Sequence, residues 1–192
     1  MFKRLILFLL VAVLAVAGSS PARCQSHPGQ LSAESYDASR AAQDVLGEIA
    51  DWLVTNMGLP IVTDRPTIRF VSKDELAKKR GADSAQWQGS GQYEGIDRLD
   101  QRNVIALYDN SSKTILLPDD WQGTSPAEQS MLVHEMVHHI QNVAGLKLEC
   151  PIAREKAAYL AQDEWLKRLG KSLESEFDVD LFTILISSAC MY

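Results

Sequence analysis

The spacing of apolar positions predicts the first elements of the chain. Apolar side chains recur every three or four residues over 35–57, which is typical of an amphipathic helix, and Gly58 ends this pattern. The apolar, β-branched run 67–71 predicts a short strand, and the charged segment 73–79 predicts a short helix. Helical and strand patterns therefore alternate early in the chain.

Two further apolar runs, 103–108 and 114–117, lie on either side of the polar segment 109–113. This arrangement predicts two strands that are joined as a hairpin. The stretch 81–102 is rich in Gly, Gln, Ser and Asp, and it predicts a long loop of the kind that often carries function in compact domains. Short strands between helices predict an α+β fold.

A largely apolar helix is predicted between Ser125 and Gly145. Ser125, Pro126 and Glu128 supply an N-cap, a proline at the first helical position and a capping box. Gly145 supplies a C-terminal cap. Apolar residues cover most of the circumference between these signals, which predicts a central, buried helix.

This helix carries an H-E-x-x-H motif, His134-Glu135-Met136-Val137-His138. Residues four apart lie on one face of a helix, about 6 Å apart, so both imidazoles can reach one metal ion. Glu135 lies about 100° further round the helix, where it can take a proton from a metal-bound water instead of binding the metal. The motif predicts a zinc-dependent hydrolase with His134 and His138 as ligands.

Catalytic zinc usually has three protein ligands, so a third ligand must come from elsewhere in the chain. Glu155 lies on the predicted buried face of a helix that begins at Pro151, where an ionised carboxylate needs a strong partner. Glu155 is therefore the favoured third ligand, and a salt bridge to Arg154, Lys156 or a distant cation is the competing explanation for it. Glu149, in a predicted turn, is the alternative ligand.

Two more polar side chains are candidates for catalysis. His139 is four residues after Glu135, so it can hydrogen-bond that carboxylate or stabilise an oxyanion, or be a partly exposed histidine without a role. Tyr159 is four residues after Glu155 and can orient that ligand or donate to the oxyanion; a core tyrosine with an unrelated partner is the competing explanation. Gln162, on the same stripe, can support a ligand.

With a glutamate on the helix after the motif, the chain resembles the zincin metallopeptidases whose third ligand is glutamate. The segment 155–159 is similar to the E-x-x-A-[DY] segments of that group, and the chain also resembles small exported bacterial domains of unassigned function. The resemblance covers mainly residues 103–166. It implies a zincin-like fold, a small mixed sheet packed on helices with an edge strand lining the cleft. Additional N-terminal and C-terminal helices are expected here, and Tyr159 stands where many relatives have Asp.

The first residues have the pattern of a secretory signal peptide, with two positive residues, an apolar run over 5–17 and then small and polar residues. We expect residues 1–22 to be removed, 23–34 to form a flexible lead and 35–192 to form one zincin-like domain. An uncleaved anchor is the alternative, although the run is shorter than the ~20 residues of a membrane span. The predicted location is secreted or periplasmic, without stable membrane insertion after cleavage.

An exported chain can form disulfides, and Cys150 and Cys190 are the predicted pair because both lie within the folded part. Their bond would tie the apolar run 181–191, a predicted buried helix, to the start of another helix. Cys24 is then left over, or removed with the signal peptide. Two unpaired buried thiols are the alternative.

The formal net charge of −6 and the lack of a block of Lys or Arg argue against a nucleic-acid partner. The predicted function is that of an exported zinc metallopeptidase acting on a peptide or protein substrate, with Glu135 as general base. The alternative is a non-enzymatic envelope protein with a structural or vestigial metal site, which does not need Glu135. A carbohydrate or lipid amidase would use similar metal chemistry.

Overall fold

The computed structural model describes residues 33–87 and 106–190. Its helices and strands are α1 (Ala33–Met57), β1 (Thr67–Val71), α2 (Lys73–Trp87), β2 (Leu107–Asp109), β3 (Thr114–Pro118), α3 (Pro126–Val143), α4 (Ala153–Arg168), α5 (Leu173–Phe177) and α6 (Leu181–Ser187). The predicted α+β fold is confirmed. The predicted signal peptide, nearly all of the predicted lead, and residues 88–105 of the predicted loop and strand lie outside the described residues.

The three strands form a small mixed sheet of order β1-β3-β2. Strand β3 pairs parallel to β1 and antiparallel to β2, so Leu116 lies opposite Arg69 on one side and Leu107 on the other. The predicted hairpin is therefore confirmed. The middle residue of β2, Tyr108, turns into the core and is 4% exposed.

Helix α1 covers this core with one apolar face. Leu46, Ile49 and Leu53 are at most 1% exposed, which agrees with the helical spacing of apolar residues in the sequence. They belong to the same hydrophobic cluster as Val137 of α3 and Trp165 of α4. The three helices are therefore held by one core that also includes residues of the sheet.

Helix α3 begins and ends where its capping residues predict. The Ser125 hydroxyl accepts from the Glu128 N–H, and the Glu128 carboxylate accepts from the Ser125 N–H, which completes the capping box. After the helix, Gly145 has a φ of +60°, and the Leu146 N–H donates to the Gln141 carbonyl at 3.0 Å. Helix α3 contacts α1, α4 and β2, so it is central as predicted.

Helices α2 and α4 have boundaries that differ from the prediction. Helix α2 continues to Trp87 instead of ending at residue 79, because a single glycine, Gly81, costs a helix only about 1 kcal/mol relative to alanine. The first part of the predicted loop is therefore helical. Helix α4 begins at Ala153, two residues after Pro151, and no side chain caps its N-terminus.

The C-terminal helix α6 is shorter and more exposed than predicted. It ends at Ser187, and only Ile184 is fully buried, whereas Phe182 is 68% and Ile186 59% exposed. The predicted disulfide Cys150–Cys190 is confirmed, with Cα atoms 6.0 Å apart, and it ties the segment after α6 to the turn before α4. Across 33–87 and 106–190, none of the helices has both the length and the apolar character needed to cross a bilayer.

Candidate metal centre

Three side chains from two helices converge on one point. His134 and His138 lie one turn apart on α3, and Glu155 lies in the first turn of α4. The two Nε2 atoms are 3.1 Å apart, and Glu155 Oε2 is 3.3 Å from the first and 3.2 Å from the second. Only 12%, 6% and 19% of these side chains is exposed, so the three atoms meet in a largely buried place.

Nδ1 of His134, the ring nitrogen that faces away from the cluster, is held by a chain of hydrogen bonds. Gln162 Oε1 lies 3.1 Å from His134 Nδ1, and Gln162 Nε2 donates to Ser130 Oγ at 3.3 Å. The Ser130 hydroxyl in turn donates to the Ala127 carbonyl at 2.8 Å. Because Ser130 accepts from the amide group, Gln162 presents its carbonyl to the imidazole, whose proton then lies on Nδ1. The lone pair of His134 Nε2 therefore faces Glu155.

The outward nitrogen of His138 has two neighbours. Gln141 Oε1 lies 3.0 Å from Nδ1, and Arg154 Nε lies 3.3 Å from it. Gln141 Nε2 donates to the backbone carbonyl of Arg154 at 3.0 Å, which turns Oε1 toward the imidazole. When the imidazole proton lies on Nδ1 and bonds Gln141, the nearer partner, the Nε2 of His138 presents a second inward lone pair.

The three converging atoms fit a zinc ion. Imidazole nitrogen and carboxylate oxygen are ordinary zinc ligands, and atoms bound at 2.0–2.1 Å in a tetrahedral arrangement are about 3.3 Å apart. The observed separations are 3.1, 3.2 and 3.3 Å. Three lone pairs at these distances repel one another unless a cation or a proton lies between them. The cluster therefore has the spacing and the chemistry of three of the four ligands of zinc.

The charges around the cluster keep the carboxylate ionised. Burial raises the pKa of Glu155, but His138 and His134 lower it by more, so this pKa lies well below its usual range. Burial lowers the pKa of His134, but the hydrogen bond that its protonated form makes to Glu155, together with the charges of Glu135 and Glu155, outweighs burial and raises this pKa. The ionised carboxylate is the form of Glu155 that binds a metal.

Glu135, the predicted general base, is buried beside this cluster. It is 8% exposed, and its negative charge contributes to the raised pKa values of His134 and Tyr159. Among the described residues, no hydrogen-bond donor reaches its carboxylate. This position beside the cluster is compatible with the predicted role as general base, which stays a prediction.

Tyr159 packs edge-on against the His134 ring, with centroids 4.5 Å apart and an angle of 74° between the planes. It is 6% exposed, and burial, followed by the charge of Glu155, raises the pKa of its phenol. The phenol therefore keeps its proton at neutral pH and can donate it. The position is compatible with both predicted roles, and a role in catalysis stays a prediction.

His139 points away from the cluster, although it follows His138 directly in the chain. Its side chain is fully buried, with Nε2 2.7 Å from the Asp64 carbonyl and Nδ1 3.1 Å from the Tyr108 hydroxyl. A carbonyl can only accept, so Nε2 carries the proton and Nδ1 accepts from the tyrosine. Both ring nitrogens have these partners, so the structure does not bring His139 into the cluster of His134, His138 and Glu155, and its role in catalysis stays a prediction. The side chain of His139 joins α3 to β2 and to the segment before β1.

The two candidate third ligands differ clearly in position. Glu155 lies within hydrogen-bond distance of both histidines, whereas Glu149 is exposed in the turn between α3 and α4. Within 33–87 and 106–190, the group of potential metal ligands that meets at this point consists of His134, His138 and Glu155. The structure therefore favours Glu155 over Glu149.

Three supporting contacts, those of Ser130, Gln141 and Arg154 with the histidine ligands or their partners, were not predicted from the sequence. Ser130 and Gln141 lie four residues before His134 and three after His138, and this spacing places each pair on one helix face. That spacing was a usable signal. The contact of Arg154 with His138 joins two helices and left no signal of this kind in the sequence.

The fold and the site together define a small α+β domain with a buried His-His-Glu cluster. The chain belongs to the family DUF6647, described as a domain of unknown function, which matches residues 38–192. No curated protein matches the sequence, and no solved structure matches it. The family agrees with the resemblance to small domains of unassigned function.

Proposed function

We propose that this domain is an exported zinc-dependent hydrolase, and more specifically a metallopeptidase of zincin type. The observation that carries the proposal is the convergence of three lone-pair donors, His134, His138 and Glu155, at separations of 3.1–3.3 Å. The resemblance of the motif to the zincins supports a peptide or protein as substrate. The predicted signal peptide supports a secreted or periplasmic location.

Each residue of the site has a role in this proposal. His134, His138 and Glu155 would hold the ion. When bound, zinc supplies Lewis acidity, which brings the ionisation of water to about pH 7 and polarises a carbonyl group. Glu135 takes the proton of the attacking water and passes it to the leaving amine. Tyr159 would donate a hydrogen bond from its phenol to the developing oxyanion and keep its proton.

The burial of the ligands favours a second candidate, a non-enzymatic envelope protein with a structural metal site. Structural zinc sites are closed, and 6–19% exposure of the ligand side chains leaves little access for a substrate in this conformation. A structural site does not need Glu135. The two candidates therefore differ in what the loss of this carboxylate changes.

The test compares the wild type with Glu135→Gln, and uses Glu149→Gln as the control. Glu149 is exposed and lies outside the cluster, so its variant has the same change of charge without contact with the site. We expect one zinc ion per chain in all three proteins, and a fall of about 10²–10⁴-fold in peptide hydrolysis for Glu135→Gln alone. Bound zinc is measured by atomic absorption and hydrolysis with a peptide library.

Stoichiometric zinc in a wild type that cleaves no peptide supports the structural candidate and contradicts the peptidase. A wild-type protein that holds no zinc after zinc addition contradicts both candidates. Equal hydrolysis by the wild type and Glu135→Gln contradicts the role of this residue as general base.

A further inference from the structure

The two histidine ligands differ in what surrounds their outward nitrogens. Among the described residues, His134 Nδ1 meets one partner, the Gln162 carbonyl at 3.1 Å. His138 Nδ1 meets two partners of opposite kind, the Gln141 carbonyl at 3.0 Å and the Arg154 Nε–H at 3.3 Å. One nitrogen of a neutral imidazole either donates or accepts, so the two partners of His138 select different tautomers.

Gln141 selects the tautomer that can bind a metal. Its amide group donates to the Arg154 carbonyl, and it is 6% exposed, so the orientation of its Oε1 is fixed. Bonding to this oxygen keeps the proton of His138 on Nδ1 and leaves Nε2 free to bind an ion.

Arg154 selects the other tautomer. A guanidinium can only donate, so its bond to Nδ1 requires the proton of His138 to lie on Nε2. There the proton points at Glu155 Oε2, 3.2 Å away, or at His134 Nε2, 3.1 Å away, and relieves their repulsion without any ion. A proton in this place blocks the nitrogen that would bind a metal. The imidazole is neutral in both forms; one N–H bond is lost at Nε2 and one is formed at Nδ1.

We propose that Arg154 is a positioning residue that holds His138 in the metal-free tautomer, and that Gln141 holds it in the metal-binding one. Arg154 then lowers the metal affinity of the site and Gln141 raises it. Gln162 and Ser130 keep the proton of His134 on Nδ1 with and without metal. This inference rests on the proposed zinc site. It does not depend on whether the site cleaves peptides.

The first test uses the wild-type full chain and reads the ring nitrogens of His138 by ¹H–¹⁵N NMR. Without metal, and at a pH where both imidazoles are neutral, we expect a substantial fraction of the Nε2–H tautomer at His138 and only the Nδ1–H tautomer at His134. With one equivalent of zinc, His138 should change to Nδ1–H. Only the Nδ1–H tautomer at His138 in the metal-free protein would overturn the inference, whatever the protein does with zinc or peptides.

The second test measures zinc affinity by competition with a chelator. Gln141→Met should weaken zinc binding by about 10–100-fold, as the loss of an outer partner of a metal ligand usually does. Arg154→Met should strengthen it. Because Arg154 Nε is also 3.7 Å from Glu155 Oε1, this variant removes a nearby positive charge as well. Lys156→Met, an exposed side chain in the same helical turn, is the control for charge.

We expect Arg154→Met to bind zinc several-fold more tightly than Lys156→Met. Equal affinities of these two variants, or weaker binding in both Arg154→Met and Gln141→Met, would overturn the inference. A wild type that binds no zinc contradicts the proposed function instead, and the NMR result on the metal-free protein distinguishes the two failures.

Discussion

His138 and His139 are neighbours on helix α3, yet they belong to two polar clusters of different composition. On the ligand side, His134, His138 and Glu155 turn three acceptors toward one point. On the anchor side, His139, the Tyr108 hydroxyl and the Asp64 carbonyl form a chain in which each donor meets an acceptor. A buried polar cluster needs a cation or a proton when its acceptors outnumber its donors. The residue types alone do not show whether donors and acceptors are matched, because both clusters contain histidine.

The anchor side connects parts of the chain that are far apart in sequence. His139 of α3 reaches the segment before β1 through Asp64, and it reaches β2 through Tyr108. Asn142 donates to the same hydroxyl at 3.0 Å and to the Asn110 carbonyl in the hairpin turn at 3.0 Å. The anchor side therefore contributes to stability, and we expect its variants to change folding more than metal binding.

The largest effect on stability is expected from the loss of the disulfide, which precedes the ligand Glu155 in the chain. Cys150 precedes Glu155 by five residues, and its bond closes a loop with a sequence separation of 40. Replacing both Cys150 and Cys190 with Ser should lower the free energy of unfolding by about 4 kcal/mol, because a loop of this length is no longer closed in the unfolded chain. Zinc affinity should fall as well, since no side chain caps the turn that carries Glu155.

Urea unfolding and zinc competition measure these two effects, with Cys24→Ser as the control that leaves the disulfide intact. Unchanged zinc affinity in a folded Cys150→Ser/Cys190→Ser protein would show that the disulfide does not position Glu155.

The second effect concerns the ligand His138 alone. His138→Gln should weaken zinc binding by more than about 100-fold, because the loss of a ligand costs more than the 10–100-fold caused by the loss of its outer partner. Isothermal titration with zinc measures the affinity, and near wild-type binding would mean that His138 is not a ligand.

The same substitution one residue later should lower stability and leave zinc binding nearly unchanged. His139→Gln should lower the free energy of unfolding by about 1–3 kcal/mol, because the buried Tyr108 hydroxyl or Asp64 carbonyl loses its partner. Zinc affinity should stay within about twofold of the wild type. Thermal unfolding and zinc titration of both variants measure these effects. If either variant shows the changes expected for the other, the assignment of His138 to the ligand side and His139 to the anchor side is wrong.

The smallest effect is expected for Tyr108→Phe. Removing this hydroxyl takes one acceptor from Asn142 and one donor from His139, each of which keeps another partner. The free energy of unfolding should fall by about 1 kcal/mol, the usual net value of a hydrogen bond. Urea unfolding measures it, and a loss as large as that of His139→Gln would show that the tyrosine is the main anchor.

The parts of the fold that could be predicted from the sequence have local signals. The capping box at Ser125 and the glycine at Gly145 define α3, and the i, i+4 spacing of His134 and His138 places both imidazoles on one face. Glu155 could be preferred over Glu149 because the apolar period of α4 puts it on the buried face. These signals depend only on residues within a few turns.

The features that could not be predicted depend on distant contacts. The histidine at 139 looked available for catalysis, because its partner Asp64 lies 75 residues earlier in the chain. The run 181–191 looked fully buried, but α6 meets the core mainly through Ile184 and leaves Phe182 exposed. Helix α2 passes through Gly81 because a modest loss of propensity does not end a helix.

The most direct test of the central claim is X-ray absorption at the zinc edge on the full chain loaded with one equivalent of zinc. We predict a first shell of nitrogen and oxygen atoms at about 2.0–2.1 Å, with the outer scattering of two imidazoles. That scattering should fall to one imidazole in His134→Gln and stay unchanged in His139→Gln. No bound zinc, or a shell without imidazole, would contradict a zinc site formed by His134, His138 and Glu155.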